Sequence, residues 1–390
     1  MKKLKATQLK SLAAYHRLEI MGIASLRPGD HAEVYLDKWQ KAGYAADMGY
    51  MLRKPSAYID AARLMHDVAT VIMFAVPYDR SPHPELKSGW GRVARYAWGR
   101  DYHRVLKKRL KKLGKSLAEL SDSDFQFRVF SDAVPLLERA FAASAALGFT
   151  AKNTMLIRPG TGSYFFIAEM LINREVEGDL RNNNLKGHCG GCSRCLSACP
   201  TGALVKPYTL DSRRCISYLT IEKRGELSLN ERTMIGEWLF GCDLCQECCP
   251  FNYTALKISK KPELEEFGKA FGPGPQLELS TLLRIRTHDE FVKRFGGTAI
   301  MRATREGLLR NAAAVSANTC ALQAVPALLE AASQDSSALV RQHTLWALSK
   351  LYEFDDGLSR TKIAQQIENS LKDPATQVVN EVKKLRAHTS

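Results

Sequence analysis

Nine of the ten cysteines in this 390-residue chain lie between Cys189 and Cys249; only Cys320 stands apart. They fall into two blocks. The first is Cys189-Gly-Gly-Cys192-Ser-Arg-Cys195-Leu-Ser-Ala-Cys199-Pro200, the pattern C-x2-C-x2-C-x3-C-P. Thiolates so spaced wrap a cubane iron–sulfur cluster, three ligands going to one cluster and the fourth reaching a second. A zinc site normally takes its four ligands as two separated pairs, which this packing does not offer. The second block is Cys242-Asp-Leu-Cys245-Gln-Glu-Cys248-Cys249-Pro250. By the same logic Cys249, next to proline, crosses to the first cluster, giving Cys189, Cys192, Cys195 and Cys249. The second cluster then holds Cys199, Cys242, Cys245 and one more. Spacing nominates Cys248; Cys215, in the intervening Asp211-Ser-Arg-Arg-Cys215, is its rival. Eight ligands are needed and nine cysteines are present, so one is spare. Cys320, on a helical stretch among small residues, reads as a buried structural thiol.

Other features bound the class. The start, MKKLKATQLKSL, is basic, and no apolar h-region follows it, so no secretory signal is expected. The most apolar stretch, Ala69–Tyr78, is half the length a membrane helix needs. The expectation is a cytoplasmic protein with no membrane association, in which clustered cysteines serve metal and not disulfides. Lys plus Arg is 56 against 41 Asp plus Glu, a net charge of +15. Such a surplus favours an anionic partner such as nucleic acid. Ten of these cations and one Asp fall between Gly91 and Lys115, a strip that reads as a phosphate-facing surface or as a solvated helix face.

Three regions are expected: 1–180, 181–260 and 275–390. In the first, Val68–Val76, Phe127–Phe130, Met155–Arg158 and Ser163–Ala168 read as strands, the last two parted by the turn Pro159-Gly-Thr-Gly162. Ala6–Met21, Arg100–Leu120 and Val134–Leu147 have helical spacing. Mixed strands and helices predict an α/β or α+β domain. The cysteine region has short segments and suits a small domain held by its metal. The last region is helical throughout: Arg302–Ser316, Ala324–Ser333, Ser337–Tyr352, Leu358–Leu371 and Pro374–His388. Asp335-Ser-Ser-Ala-Leu-Val340 and Asp373-Pro-Ala-Thr-Gln-Val378 repeat at 38 residues, close to a HEAT-type helical pair, a plain helical bundle being the alternative.

Two linked cubanes move electrons and make no bonds. The chain either passes electrons to a partner or carries a catalytic cofactor of its own. At this point the sequence resembles the epoxyqueuosine reductase family. The resemblance rests on Ala94-Arg-Tyr-Ala-Trp-Gly-Arg-Asp-Tyr-His103, Phe130-Ser-Asp-Ala-Val-Pro-Leu-Leu-Glu-Arg139, Gly148-Phe-Thr-Ala-Lys-Asn153 and Gly162-Ser-Tyr-Phe-Phe166. It continues through the first cysteine block, Leu210-Asp-Ser-Arg-Arg-Cys-Ile-Ser-Tyr-Leu-Thr-Ile-Glu222 and Gly241-Cys-Asp-Leu-Cys-Gln246.

The resemblance implies an α+β multidomain architecture. Its parts are an α/β cobalamin-binding domain similar to the reductive dehalogenase core, a ferredoxin-like domain with two 4Fe–4S clusters, and a C-terminal HEAT-like α-helical repeat. It implies reduction of the epoxide of epoxyqueuosine to queuosine in the tRNA anticodon loop. Electrons would come from an external low-potential donor and pass through both clusters to cobalamin, in a monomeric enzyme. It assigns Cys199, Cys215, Cys242 and Cys245 to the second cluster and leaves Cys248 as the spare. It nominates Asp132 as the acid that protonates the departing oxygen, a role that calls for a carboxyl kept protonated by an apolar site. Read alone, an Asp before Pro135 is a helix N-cap. Arg95, Tyr102, Asp132, Lys152, Asn153, Ser163 and Phe165 are the residues that the resemblance places toward the cofactor, with His103 nearby. No Asp-x-His-x-x-Gly motif occurs, so a cobalt-ligating histidine is not expected. The sequence leaves two rivals: a cobalamin and iron–sulfur reductase of another substrate, reductive dehalogenase-like, and a non-enzymatic iron–sulfur electron carrier or tRNA-binding module.

Overall fold

The β-branched run that ends at Pro77 becomes the strand Thr70–Pro77, buried along its whole length. The computed structural model describes residues 3–121, 124–178, 180, 187–258, 262–354, 357 and 359–387. The region boundaries expected at 181 and 260, and the helix ends expected at Leu358 and His388, lie outside the described residues. Thr70–Pro77 pairs with Met21–Ala24 on one side and Phe165–Ile172 on the other, and Phe127–Phe130 closes the sheet. Every pairing within this four-stranded sheet is antiparallel, so of the α/β and α+β readings this part takes the α+β one. Strands from distant parts of the chain need no crossover helix to pair this way.

The helix expected over Ala6–Met21 stops at Tyr15. Arg17 takes a left-handed conformation (φ 58°) and the chain turns into the Met21–Ala24 strand. The Lys-rich segment forms a helix, Tyr102–Glu119, capped by Asp101, whose carboxylate accepts the His103 N–H at 3.1 Å. Its buried face is Leu106, Leu110, Leu113, Gly114 and Leu117. Each buried leucine contributes about 1.5–3 kcal/mol before the entropy of ordering. Gly114 is required by closeness: a Cβ there would lie 2.3 Å from the Phe127 ring. A shorter helix, Glu138–Ser144, packs Phe141 and Ala142 with Val71, Met73 and Leu171 of the sheet.

The chain divides into two units of interleaved segments: Met1–Pro82, Gly99–Arg213 and Asp243–Phe271 form one; His83–Trp98, Arg214–Cys242 and Gly272–Ser390 form the other. The second unit holds a small sheet in which Trp90–Val93 lies between Trp238–Phe240 and Gln276–Glu278. Its helices Thr304–Asn318, Val325–Gln334, Ala338–Leu351, Arg360–Asn369 and Thr376–Ala387 match the expected set closely. Cys320 lies just past the first of these with φ 49° and is exposed. It is not the buried thiol expected, because the helix ends before it and turns its side chain to solvent.

The 38-residue repeat has a physical content. Asp335 and Asp373 each accept a backbone N–H two residues on, at 2.9 and 2.8 Å. Each also pairs with an arginine of the preceding helical pair, Arg305 with Asp335 and Arg341 with Asp373. The Arg305 and Asp335 side chains are 2% and 0% exposed. Removing one partner of a buried pair strands the other, so Asp335→Ala should lower the unfolding free energy by about 3–5 kcal/mol. Arg284→Ala, at the half-exposed Arg284–Glu330 pair, should cost about 1 kcal/mol or less. Urea denaturation of the two variants checks the contrast.

Candidate active site and metal centre

The Phe127–Phe130 strand ends beside the first turn of the Tyr102–Glu119 helix, and the residues just after it are held tightly. Ser131 Oγ donates to the Ile167 carbonyl at 2.7 Å. Asp132 then adopts φ 50°, an uncommon conformation for a residue with a side chain. Tyr102 Oη donates to Asp132 Oδ2 at 2.7 Å. His103 Nε2 stands 3.8 Å from the same oxygen, and His103 Nδ1 bonds Asp101 Oδ1 at 2.8 Å. The Asp132 N–H donates to Glu138 Oε1. Asp132 is no helix cap: the next helix begins at Glu138, after Leu137, with no side-chain cap bond.

These contacts set the charges. Crowding by the chain would raise the Asp132 carboxyl, but the His103 and Tyr102 hydrogen bonds outweigh it and hold the group below its ordinary value. The expected protonated acid is therefore a carboxylate in the protein by itself. The side chain is 70% exposed to solvent, although neighbouring chain crowds its carboxyl. His103 is the converse case. Burial would lower it, but Asp101 and Asp132 hold its proton and push it up to about 9. The proton expected on Asp132 thus sits next door. Burial, with the Asp132 charge adding to it, raises Glu138 to about 8.

Aromatic rings pack beside Asp132. Tyr102 stacks on Phe166 with ring centroids 4.4 Å apart and planes 7° from parallel. His103 stacks on Tyr102 at 4.0 Å, and Phe166 also meets Tyr78 and Phe267, each at 4.7 Å. Sequence reading named Phe165 here. Strand alternation turns Phe165 into the hydrophobic core with Leu171 and Phe141 and leaves Phe166 on the ring side. Glu138, Glu169 and Phe166 were all missed; the period-2 alternation of Phe165–Ile172 was the signal available for the last. A carboxylate open to solvent above flat stacked rings, with hydroxyl and imidazole donors beside it, is a surface that a planar ring system can cover. The residues fit a corrin.

Lys152, Asn153 and Ser163 meet the cysteine loops. Lys152 Nζ donates to the carbonyls of Gly190 (2.7 Å) and Cys192 (2.9 Å), and its N–H reaches Cys189 Sγ at 3.4 Å. Asn153 Nδ2 donates to the Cys245 carbonyl at 3.0 Å. Ser163 Oγ bonds Gln246 Oε1 at 2.8 Å, and Asn252 Oδ1 accepts the Ser163 N–H at 2.6 Å. Arg95 is buried in the second unit with its guanidinium 5.6 Å from the Trp98 ring centroid.

Several of the thiols influence one another's charge. Burial raises the Cys195 thiol, and Cys189 and Cys249 lie close enough to add to the effect. Burial likewise raises Cys249, within electrostatic reach of Cys189 and Cys192. Thiols of the two blocks thus lie within electrostatic reach of one another, although among the described residues no three metal-ligating side chains stand close enough together to hold a metal ion. Cys248 joins the same group: burial first, then Cys195, Cys249 and Cys192, push it up to about 11. Cys199 keeps local company, its sulfur 3.5 Å from Thr201 Oγ1.

Residues 188–252 match the family model of a 4Fe-4S double cluster binding domain, and residues 59–133 match the model described as Epoxyqueuosine reductase QueG, DUF1730. An epoxyqueuosine reductase of Pseudomonas aeruginosa is 37% identical over 336 residues, 85% of this chain and 90% of that protein. The crystal structure of an epoxyqueuosine reductase with an epoxyqueuosine-modified tRNA-Tyr stem loop superposes with a TM-score of 0.84 at 29% identity, over 97% of both chains. The Bacillus subtilis epoxyqueuosine reductase, seen with its catalytic aspartate loop swung out of the active site, gives 0.81 at 28% identity, over 97% of this chain and 98% of its own.

Proposed function

The chain belongs to the epoxyqueuosine reductase family and is an oxidoreductase that reduces epoxyqueuosine to queuosine; from that premise we propose how its own residues serve the reaction. Converting an epoxide to an alkene consumes two electrons and two protons, and the oxygen leaves as water. The two 4Fe–4S clusters and cobalamin supply the electrons when bound, drawn from an external low-potential donor. The first cluster takes Cys189, Cys192, Cys195 and Cys249; the second takes Cys199, Cys215, Cys242 and Cys245. Lys152, Asn153 and Ser163 act from the cluster side by bracing the cysteine loops. Tyr102 and Phe166 form the ring floor on the corrin side, and Phe165 supports it from the core.

Protons are the protein's own contribution. Asp132 delivers one to the departing oxygen after taking it from His103, whose imidazolium is held charged at neutral pH and stands 3.8 Å away, and the second comes from solvent water. Covering Asp132 with the modified base removes water from its carboxylate, which favours its neutral form and draws the proton across. The observation that carries this reading is the Tyr102–Asp132–His103 constellation over the stacked rings. Tyr102→Phe removes one hydrogen bond to the carboxylate and should lower kcat/KM about tenfold.

The substrate is a tRNA anticodon loop, as in the related structure with a tRNA stem loop. Lys107, Lys111 and Lys115 line a groove of about 410 Å³ with Arg128, floored by Phe127, Val129 and Phe130. It opens at the strand that leads to Asp132, and its cations suit a phosphate backbone. Arg100 is exposed, while Arg213 is held by Asp211 at 2.8 Å. No helix among the described residues is long and apolar enough to cross a membrane, and the proposal is a cytoplasmic, monomeric enzyme. By function we divide the chain into a cobalamin-binding part (1–180), a ferredoxin-like part (181–260) and a HEAT-like helical part (275–390).

The test is anaerobic purification and reconstitution with iron, sulfide and cobalamin. Conversion of an epoxyqueuosine-containing stem loop supports the reading. Loaded protein that leaves this substrate unchanged but reduces an organohalide would favour a dehalogenase-like reaction. Clusters without retained corrin would favour an electron carrier.

A further inference from the structure

Glu169 is an anomaly of placement. It sits in Phe165–Ile172, the strand between Thr70–Pro77 and Phe127–Phe130, paired in register with Met73 and Phe130. It shares its side of the sheet with Phe165, Ile167 and Leu171, which pack into the apolar core. The residue is 0% exposed, and neither carboxyl oxygen reaches a hydrogen-bond donor among the described residues. An unpaired carboxylate in such a place is costly enough that it must neutralise or find a partner. The group it faces is another acid, Glu138, whose Oε1 accepts the N–H of Asp132. Two carboxylates have no donor between them. One proton supplies it.

We propose that Glu138 and Glu169 share a proton and that the pair is a clamp holding Asp132 in its working conformation. Asp132 needs one. Its φ of 50° is a conformation that a non-glycine residue keeps only when its surroundings impose it. Tyr102 pins the side chain; Glu138 pins the backbone. A free Glu138 would swing on its rotamers, and the bond to Glu169 fixes it. These are positioning residues that act through Asp132. The inference rests on Asp132 being the proton donor, but its test needs neither substrate nor corrin.

The charged groups that bear on the pair are Asp132, His103 and Arg139, with Tyr102 against Asp132. Burial is the main cause that raises both glutamates, Glu138 to about 8 and Glu169 well above its ordinary value. The clamp is thus closed below that range and loses its proton as pH rises through about 8. The experiment is amide hydrogen exchange of the segment around Asp132, corrected for intrinsic rates, in full-length, cluster-loaded protein below and above that pH. Wild type should be protected at neutral pH and lose protection on the alkaline side. Glu138→Ala should exchange about tenfold faster at neutral pH, the loss of one hydrogen bond. Glu138→Gln keeps an acceptor and should retain protection. Glu169→Gln carries a permanent donor and should stay protected on the alkaline side. Glu169→Leu, which suits the apolar face and removes any concern over folding, should lose protection at neutral pH. Exchange in Glu138→Ala equal to wild type, or an alkaline loss that persists in Glu169→Gln, would overturn the clamp.

Discussion

Asp132→Asn is expected to lower single-turnover reduction of epoxyqueuosine by about 10²–10⁴-fold, the range for loss of a general acid. Iron and corrin contents should equal wild type, and the KM for the stem loop should change little. The amide oxygen still accepts from Tyr102, so the loop keeps its place; the amide has no proton to give. The pH profile adds an independent check. His103 is raised to about 9, because Asp101 and Asp132 favour its charged form. Its proton is therefore present at neutral pH and lost as pH rises through about 9, so wild-type kcat/KM should fall on that alkaline limb. His103→Gln should abolish the limb and leave a low, flatter profile. Activity of Asp132→Asn within about threefold of wild type would move the acid elsewhere.

The charge state of Asp132 also shows where sequence reasoning stopped. Phe130, Ala133, Val134 and Pro135 beside it suggested an apolar site and a protonated carboxyl. What decides the matter is Tyr102 and His103, thirty residues earlier, brought alongside by the packing of their helix against Phe127–Phe130. Neither neighbour is visible from spacing. The cysteines were legible for the opposite reason. The C-x2-C-x2-C-x3-C-P motif is local in sequence, and a cubane imposes that spacing on the chain directly, whereas the ligands proposed to cross between the blocks are not local. The helices of the last region were legible through their apolar period, and the 38-residue repeat through its aspartates. Register was not legible. Phe165 and Phe166 differ only in parity on one strand, and parity alone sends one to the core and the other to the ring floor. Glu169 meets Glu138 only because its strand takes a place beside Phe127–Phe130. Met21–Ala24 was hidden by a helical period that ran past the true helix end at Tyr15.

The choice between Cys215 and Cys248 for the second cluster separates by iron count. Cys248 lies within electrostatic reach of Cys195, Cys249 and Cys192, which with Cys189 are the four thiols proposed for the first cluster. A fifth thiol against a complete set has no iron left to bind, so Cys248→Ser should keep about eight irons per chain and near-normal turnover. Cys215→Ser should leave the second cluster with three thiolates. Iron and sulfide should then fall toward about four per chain, and turnover should be lost because the electron supply is cut. Cys249→Ser is the control, since it strikes the first cluster and should also cost about four irons. Iron and sulfide assays on anaerobically reconstituted protein, with electron paramagnetic resonance of the reduced clusters, read all three variants. A Cys248→Ser variant that loses half its iron while Cys215→Ser keeps all of it would exchange the two assignments. The proposed first cluster would keep Cys189, Cys192, Cys195 and Cys249, because the C-x2-C-x2-C spacing and the proline after Cys249 nominate them whichever cysteine completes the second.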